Sequence, residues 1–460
     1  MENTFTTLNP FSERSIANHV YLSNDDIDFI IDKSHLRFDK WKNQDFNFKK
    51  KILKNLSNDL LINIDEYSRK ITNEMGKPLK ESRGEIKKCS QLCNFYFEHS
   101  ENFLKPYEVK LEKQVAKISY SPLGIILGIM PWNFPFWQVF RFAIPTLMSG
   151  NTVIIKHSPN TFGCGDLISY IFNKVGYPKY CYNNIKIHHT QVERIIASDK
   201  VQGVSLTGSE KAGAAVGSLA GKHIKKTLFE LGGSDPFIIY DDANIELAVS
   251  DAISAKFLNS GQSCISPKRF FIHEKIYKIF IKMFIAKLKK LNIGNPMEVE
   301  TDIGPLAKKE FVDKIRYQVK KSIDMGAEII FKKDYDSKKG FFIEPIILRH
   351  NNLNSPIFNE EVFGPVIPIF IFNDKDNIIE LVNSTAYGLG ASLWTSCNLK
   401  KNNFEQNINT GLLFINGMTK SDPRIPFGGI KKSGYGRELS KEGIKEFVNI
   451  KTIVSKNKEF

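Results

Sequence analysis

From residue 115 onward the chain alternates short apolar runs with stretches of helical period, and no other feature restricts its fold as strongly. The runs at 115–120, 125–130, 152–156, 201–206 and 236–240 read as strands, and a helix follows each of the last three. Adjacent parallel strands need a crossover long enough to return along the sheet, which a helix supplies, so the alternation requires a parallel α/β sheet. A second α/β series follows Cys264, with strands near 269–272, 328–331 and 366–372. Before residue 105 the texture differs: 25–41, 48–67 and 81–103 carry apolar residues at three- and four-residue spacing and read as a helical layer. A chain of 460 residues suits two large domains or more. With no repeat, low-complexity tract or long linker, those domains should share an extensive interface, where a cleft forms.

Composition excludes several classes. Hydrophobic residues make up 42% and charged residues 25%, the balance of a globular rather than a disordered chain. The net charge of +14 would suit a polyanion, but the lysines are spread along the chain and their runs, such as 49–51 and 431–432, are short. Such a surface attracts small anions, and no nucleic-acid or membrane partner is expected. Six irregularly placed cysteines with no Cys-x-x-Cys pair offer neither a disulfide framework nor a zinc grip, so no metal and a reducing, cytoplasmic setting are expected. Residues 1–14 lack the basic-then-apolar order of a secretory signal, and no apolar run reaches the length of a membrane span.

At 259–264, Asn-Ser-Gly-Gln-Ser-Cys, a helix runs out into a glycine-containing turn that can lift Cys264 toward a cleft. Taken alone, a single cysteine is more often a packing residue than a nucleophile. Its context is Pro-Trp-Asn-Phe-Pro at 131–135, Phe-Glu-Leu-Gly-Gly at 229–233, Glu-Glu-Val-Phe-Gly-Pro at 360–365 and Pro-Phe-Gly-Gly-Ile-Lys-Lys-Ser-Gly at 426–434. These motifs, in this order from about residue 121 to 438, resemble the aldehyde dehydrogenase superfamily. The resemblance implies a Rossmann-like cofactor domain (1–105 and 122–231), an α/β catalytic domain (232–438) and a small oligomerisation element (106–121 and 439–460) that joins subunits into a homodimer or homotetramer. It makes Cys264 the nucleophile toward an aldehyde, Asn133 an oxyanion donor and Glu230 the general base whose water releases a free acid.

No Gly-x-Gly-x-x-Gly stands at a strand-to-helix junction; Thr-Gly-Ser-Glu-Lys-Ala-Gly at 207–213 follows a strand and opens a helix, where backbone N–H groups suit a pyrophosphate. By resemblance, Gly208 and Ser209 hold the pyrophosphate, Lys156 the adenosine ribose and Glu361 the nicotinamide ribose, with Phe363 beside it and Trp132 lining the pocket. His157 is placed on the rim of the adenosine pocket. Where NAD-specific relatives carry a glutamate stands Pro159, so NADP is expected to be accepted at least as well as NAD, its phosphate reached by Lys156 and Ser158. The segment 416–429 is most like the succinate-semialdehyde dehydrogenase branch, which points to Arg141 and Ser421 as partners for a substrate carboxylate. Leu258 stands where some of that branch carry a second arginine, which leaves room for a less polar substrate. The alternatives are a broad aliphatic or aromatic aldehyde dehydrogenase and a catalytically idle structural or binding protein of the same fold.

Overall fold

The computed structural model describes residues 4–112, 114–335 and 339–456; the parts of the expected domain ranges at 1–3, 113, 336–338 and 457–460 lie outside the described residues. Three sheets organise most of the chain. The first has six strands in the spatial order Gly434–Tyr435, Lys226–Glu230, Val201–Thr207, Ile125–Met130, Thr152–His157 and Tyr182–Ile185. All neighbours are parallel except the first pair. The second sheet has seven strands, ordered Glu328–Lys332, Ile346–Arg349, Val366–Phe372, Arg269–His273, Pro236–Ile239, Gly390–Trp394 and Leu412–Ile415, with an antiparallel pair at one edge only. The third is antiparallel: the tail strand Val448–Lys456 lies along Gln114–Pro122, which also pairs with Tyr107–Lys110. Gly434 and Tyr435, inside the range expected for the second domain, extend the first sheet against Glu230 and Phe229.

Strand side chains alternate between faces, and both faces here are apolar. Ile126, Val153 and Ile155 join a core with the helices α2 (Phe46–Ile62), α3 (Ile64–Met75), α4 (Leu79–Phe103) and α5 (Trp137–Met148). Ile125, Leu127 and Ile154 turn to the other side, toward Ile27 and Ile31 of α1 (Asn24–Trp41).

The amino-terminal reading needs two corrections. An antiparallel hairpin, Thr4–Leu8 with Ser15–Val20, precedes the helices. Its strands are too polar to show an alternating pattern. The single helix expected at 48–67 breaks at Asn63, whose side chain donates to the Asp59 carbonyl at 3.0 Å. That local bond offers the backbone an alternative to continuing the turn. No helix among the described residues is long and apolar enough to cross a membrane.

Candidate active site

The loop carrying Cys264 is held in a costly conformation. The helix Ile245–Phe257 ends, and Asn259 and Ser260 then adopt φ of 54° and 55°. At Gly261 φ is 80°, and a Cβ there would run into the Gly364 carbonyl, so glycine is required on two counts. The surrounding bonds offset the strain. Glu81 of α4 accepts from the Asn259 N–H at 2.7 Å, the Asn259 amide donates to Asn133 O at 2.8 Å, and Ser260 Oγ donates to Gly304 O at 3.0 Å. Lys268, fully buried, donates to the carbonyls of Ser263, at 2.6 Å, and Cys264.

Cys264 sits where two cavities meet. The first, about 210 Å³, is lined by Asn133, Glu230, Glu361, Trp132, Phe363 and the Gly208-Ser209 turn, as well as by Cys264. The second, about 190 Å³, reaches from Cys264 past Leu258 to Arg141, Lys88 and Ser421. Gln138, buried and with its amide oxygen unpartnered, lines both.

Burial pushes the Cys264 thiol up to about 11, against the pull of Lys268 and Arg141. Glu230 closes the strand Lys226–Glu230 and is 2% exposed, not a solvated strand end. Burial holds its carboxyl well above the usual range; Arg141 opposes that shift and Glu438 adds to it. One Glu230 oxygen has no hydrogen-bond partner. Asn133 commits one amide N–H to Gln262 O at 3.1 Å, and a primary amide carries two. Glu361 accepts from the Gly233 N–H at 3.0 Å and lies 3.9 Å from Lys268. A Cβ on Gly232 would stand 2.7 Å from the Glu361 carboxylate, so the glycine makes room for it.

Other expected contacts are rearranged. Gly208 spends its N–H on Glu230 O at 3.0 Å, so it is not an anion donor; Ser209 caps the helix Glu210–Lys222, accepting from Ala212 N–H at 3.3 Å. Lys156, Ser158 and Pro159 follow the same carboxyl-terminal sheet edge but do not line the first cavity. Lys156 is buried, which draws its ammonium down to about 8, helped by Lys308. Ser158 donates to Asn160 Oδ1 at 2.7 Å. His157 is fully buried rather than on a rim, and burial lowers its imidazole to about 3.

Arg141, expected to meet a substrate carboxylate, already has a carboxylate partner. On α5 it is 2% exposed and forms an ion pair with the equally buried Glu438, while its guanidinium lies 4.6 Å from the Phe427 ring centre. Beyond the Nε that faces Glu438, its Nη2 is buried without a hydrogen-bond partner, and the residue lines the second cavity. Ser421 accepts from Lys88 Nζ at 2.6 Å. Sequence reasoning missed Lys88, Lys268 and Gln138. Glu81, Glu85 and Lys88 share one helix face at four- and three-residue spacing, a charged stripe that was there to be read and whose middle member, Glu85, is buried.

The model of the aldehyde dehydrogenase family matches residues 1–453. The chain belongs to that family, enzymes that oxidise aldehydes with NAD(P)+. It is 37% identical to the NAD(P)+ succinate semialdehyde dehydrogenase of Escherichia coli (strain K12), over 97% of each chain. It is 38% identical to the NADP+ succinate-semialdehyde dehydrogenase of Mycobacterium leprae, over 98% of this chain and 99% of the relative. The crystal structure of succinic semialdehyde dehydrogenase from Streptococcus pyogenes in complex with NADP+ superposes with a TM-score of 0.96 at 32% identity, covering 98% of this chain and 100% of that one.

The lining of the first cavity suits the nicotinamide and ribose end of a dinucleotide. Thr207 Oγ1 is a buried polar atom without a partner, the helix Glu210–Lys222 opens at its mouth, and Glu361 is a carboxylate suited to ribose hydroxyls. Trp132 and Phe363, edge to face at 5.8 Å, add flat apolar surface.

Proposed function

We propose that the protein oxidises a short aldehyde bearing a remote carboxylate, succinate semialdehyde foremost, to the free acid. One observation carries this reading: the second cavity has Cys264 at one end and two cations, Arg141 and Lys88, with Ser421 in its wall. The relatives named for that substrate support it.

The chemistry follows from the burial. At neutral pH Cys264 is a thiol, so its proton must leave as Sγ bonds the aldehyde carbon. That proton passes to solvent, and Glu230, lining the same cavity, serves in the later step as a base whose proton affinity burial raises. The uncommitted Asn133 N–H stabilises the oxyanion of the thiohemiacetal. The bound nicotinamide supplies a hydride acceptor. Loss of the hydride from the thiohemiacetal carbon leaves a thioester on Sγ. Glu230 then takes a proton from the water that attacks the thioester carbon, and the adduct expels Sγ as thiolate, which regains that proton as the carboxylic acid leaves.

Glu361, Phe363, Trp132 and the Ser209 turn are proposed to hold the cofactor, with Lys156 and Ser158 toward the adenosine end. Pro159 puts no carboxylate there, which supports NADP+ being used at least as well as NAD+. The third sheet exposes Tyr107, Val109, Ile450 and Val454, an apolar surface beside open strand edges that supports a homo-oligomer, dimer or tetramer. Leu258, Phe134 and Phe427 make much of the second cavity apolar and favour, as a second reading, a broader range of neutral aldehydes.

Steady-state reduction of each cofactor decides between them, with Cys264→Ala as the inactive control. The proposal expects kcat/KM for succinate semialdehyde well above that for butanal. Equal values would leave the broad-range enzyme.

A further inference from the structure

We propose that Lys88 of α4 is the principal cation for the substrate's remote carboxylate, steered into place by Ser421. The inference rests on the acidic-aldehyde reading and deepens it.

The charges around the second cavity can be accounted for one by one. Glu85 is spent on structure: one oxygen pairs with Lys77, and the other accepts the N–H groups of Phe136 and Trp137, at 2.8 and 2.9 Å, where α5 begins. Glu81 holds the Asn259 N–H, and burial raises its carboxyl to about 7. Arg141 is paired with Glu438. Asp422, beside Ser421, is gripped by Arg424 through two bonds of 2.8 and 2.7 Å. Lys88 alone in this wall has no carboxylate within ion-pair distance among the described residues. Its partners are the neutral Ser421 hydroxyl at 2.6 Å and the Trp137 ring, 4.3 Å from Nζ to the ring centre.

An ammonium carries three N–H donors, and Ser421 takes one. Trp137 and Phe134 remove water from the same wall, so an uncompensated cation there is costly. A substrate carboxylate relieves that cost, and the unpartnered Arg141 Nη2 in the same wall supplies a further donor. Arg141 brings little net charge, because Glu438 already balances it. The cavity thus presents the Lys88 ammonium, the one cation of its wall with no carboxylate in ion-pair distance among the described residues, to a monoanionic aldehyde whose carbonyl lies at Cys264. Glu81 in the same wall is committed to the Asn259 N–H and titrates near about 7.

The protonation of Lys88 gives an independent readout. Burial, and after it Arg141 on α5, draws its ammonium down to about 8, while Cys89 and Glu85 on its own helix and Asp422 on the facing loop pull it upward. Preference for an acidic aldehyde over a neutral one should therefore fall as pH rises through about 8.

The experiment measures kcat/KM for succinate semialdehyde and butanal on the full-length enzyme and on Lys88→Met and Lys88→Arg, across pH. In Lys88→Met the acidic-to-neutral ratio should drop by roughly tenfold or more, chiefly through KM for the acidic substrate, and its fall near pH 8 should vanish. Lys88→Arg should keep most of the ratio and lose the fall, because a guanidinium stays charged. Equal losses for both aldehydes in Lys88→Met would overturn the proposal and make Lys88 a strut for the Ser421 loop. A parent enzyme that prefers the acidic substrate, with a ratio unchanged in Lys88→Met, removes Lys88 and keeps the acidic-aldehyde reading. No preference in the parent removes both. If Lys88→Met does not fold, Lys88→Arg decides: a fall near pH 8 that the parent shows and Lys88→Arg retains belongs to another group, such as Glu81, and overturns the proposal.

Discussion

The two cavities that meet at Cys264 are built on different plans. The first draws its polar groups from short contiguous motifs at 131–133, 207–209, 230–232 and 361–363, several of whose polar atoms await a partner. The second draws on side chains from α4, α5, the Cys264 loop and residues 421–427. Glu85 and Arg141 are held in ion pairs, Glu81 by the Asn259 N–H, and of its cations only Lys88 has no carboxylate in ion-pair distance among the described residues. One gathers motif side chains, Asn133, Thr207 and Glu230, that keep unpartnered polar atoms and suit a cofactor common to the family. The other is a charge balance set by side chains, where one substitution can change the substrate without disturbing the chemistry.

The largest effect that would sharpen this division comes from Glu230→Gln. The amide cannot take a proton from water, so the first turnover should give a burst of about one reduced cofactor per site before a steady state slower by about 10²- to 10⁴-fold. The loss should be equal for acidic and neutral aldehydes. Stopped-flow absorbance checks this, and a burst that depends on the substrate's charge would show that Glu230 belongs to the second cavity as well.

Arg141→Met is expected to break the division. Arg141 lowers both Cys264 and Glu230 from across the cavity boundary. Deacylation needs the Glu230 carboxylate, so its rate climbs as pH rises through that group's raised pKa. Without Arg141 that pKa climbs further and the profile should move to higher pH for butanal and succinate semialdehyde alike. The acidic substrate should lose roughly tenfold more. Leaving Glu438 buried without its cation should also cost about 3–5 kcal/mol of stability, read as a lower denaturant midpoint. Unchanged butanal kinetics across pH would confine Arg141 to the substrate side.

How much was readable from sequence follows the same line. The parallel sheets were legible because strand and helix alternate locally. Cys264, Asn133, Glu230 and Glu361 were legible as residues of short motifs, although their gathering around one cavity is visible only in the fold. The polar hairpin at Thr4–Leu8 and Ser15–Val20 left no pattern to read. Arg141 was found as a residue, but its bond to Glu438, nearly three hundred positions away, was not. Lys88 and Ser421 are joined across a comparable gap, and no local spacing encodes such a contact.

The smallest effect tests what the Ser209 hydroxyl contributes to the first cavity. Ser209 accepts from the Ala212 N–H and so caps the helix whose first turn opens on the cavity. Ser209→Ala should cost about 1 kcal/mol of stability through the lost cap. If the hydroxyl also donates to the cofactor's pyrophosphate, KM for NAD+ and NADP+ should rise together by roughly two- to tenfold with kcat little changed, because the bond is lost equally from ground and transition states. Ser209→Thr should restore both stability and KM, since threonine caps and donates in the same way. A drop in melting temperature with both KM values unmoved would make Ser209 a helix cap alone, with cofactor affinity supplied elsewhere in the cavity.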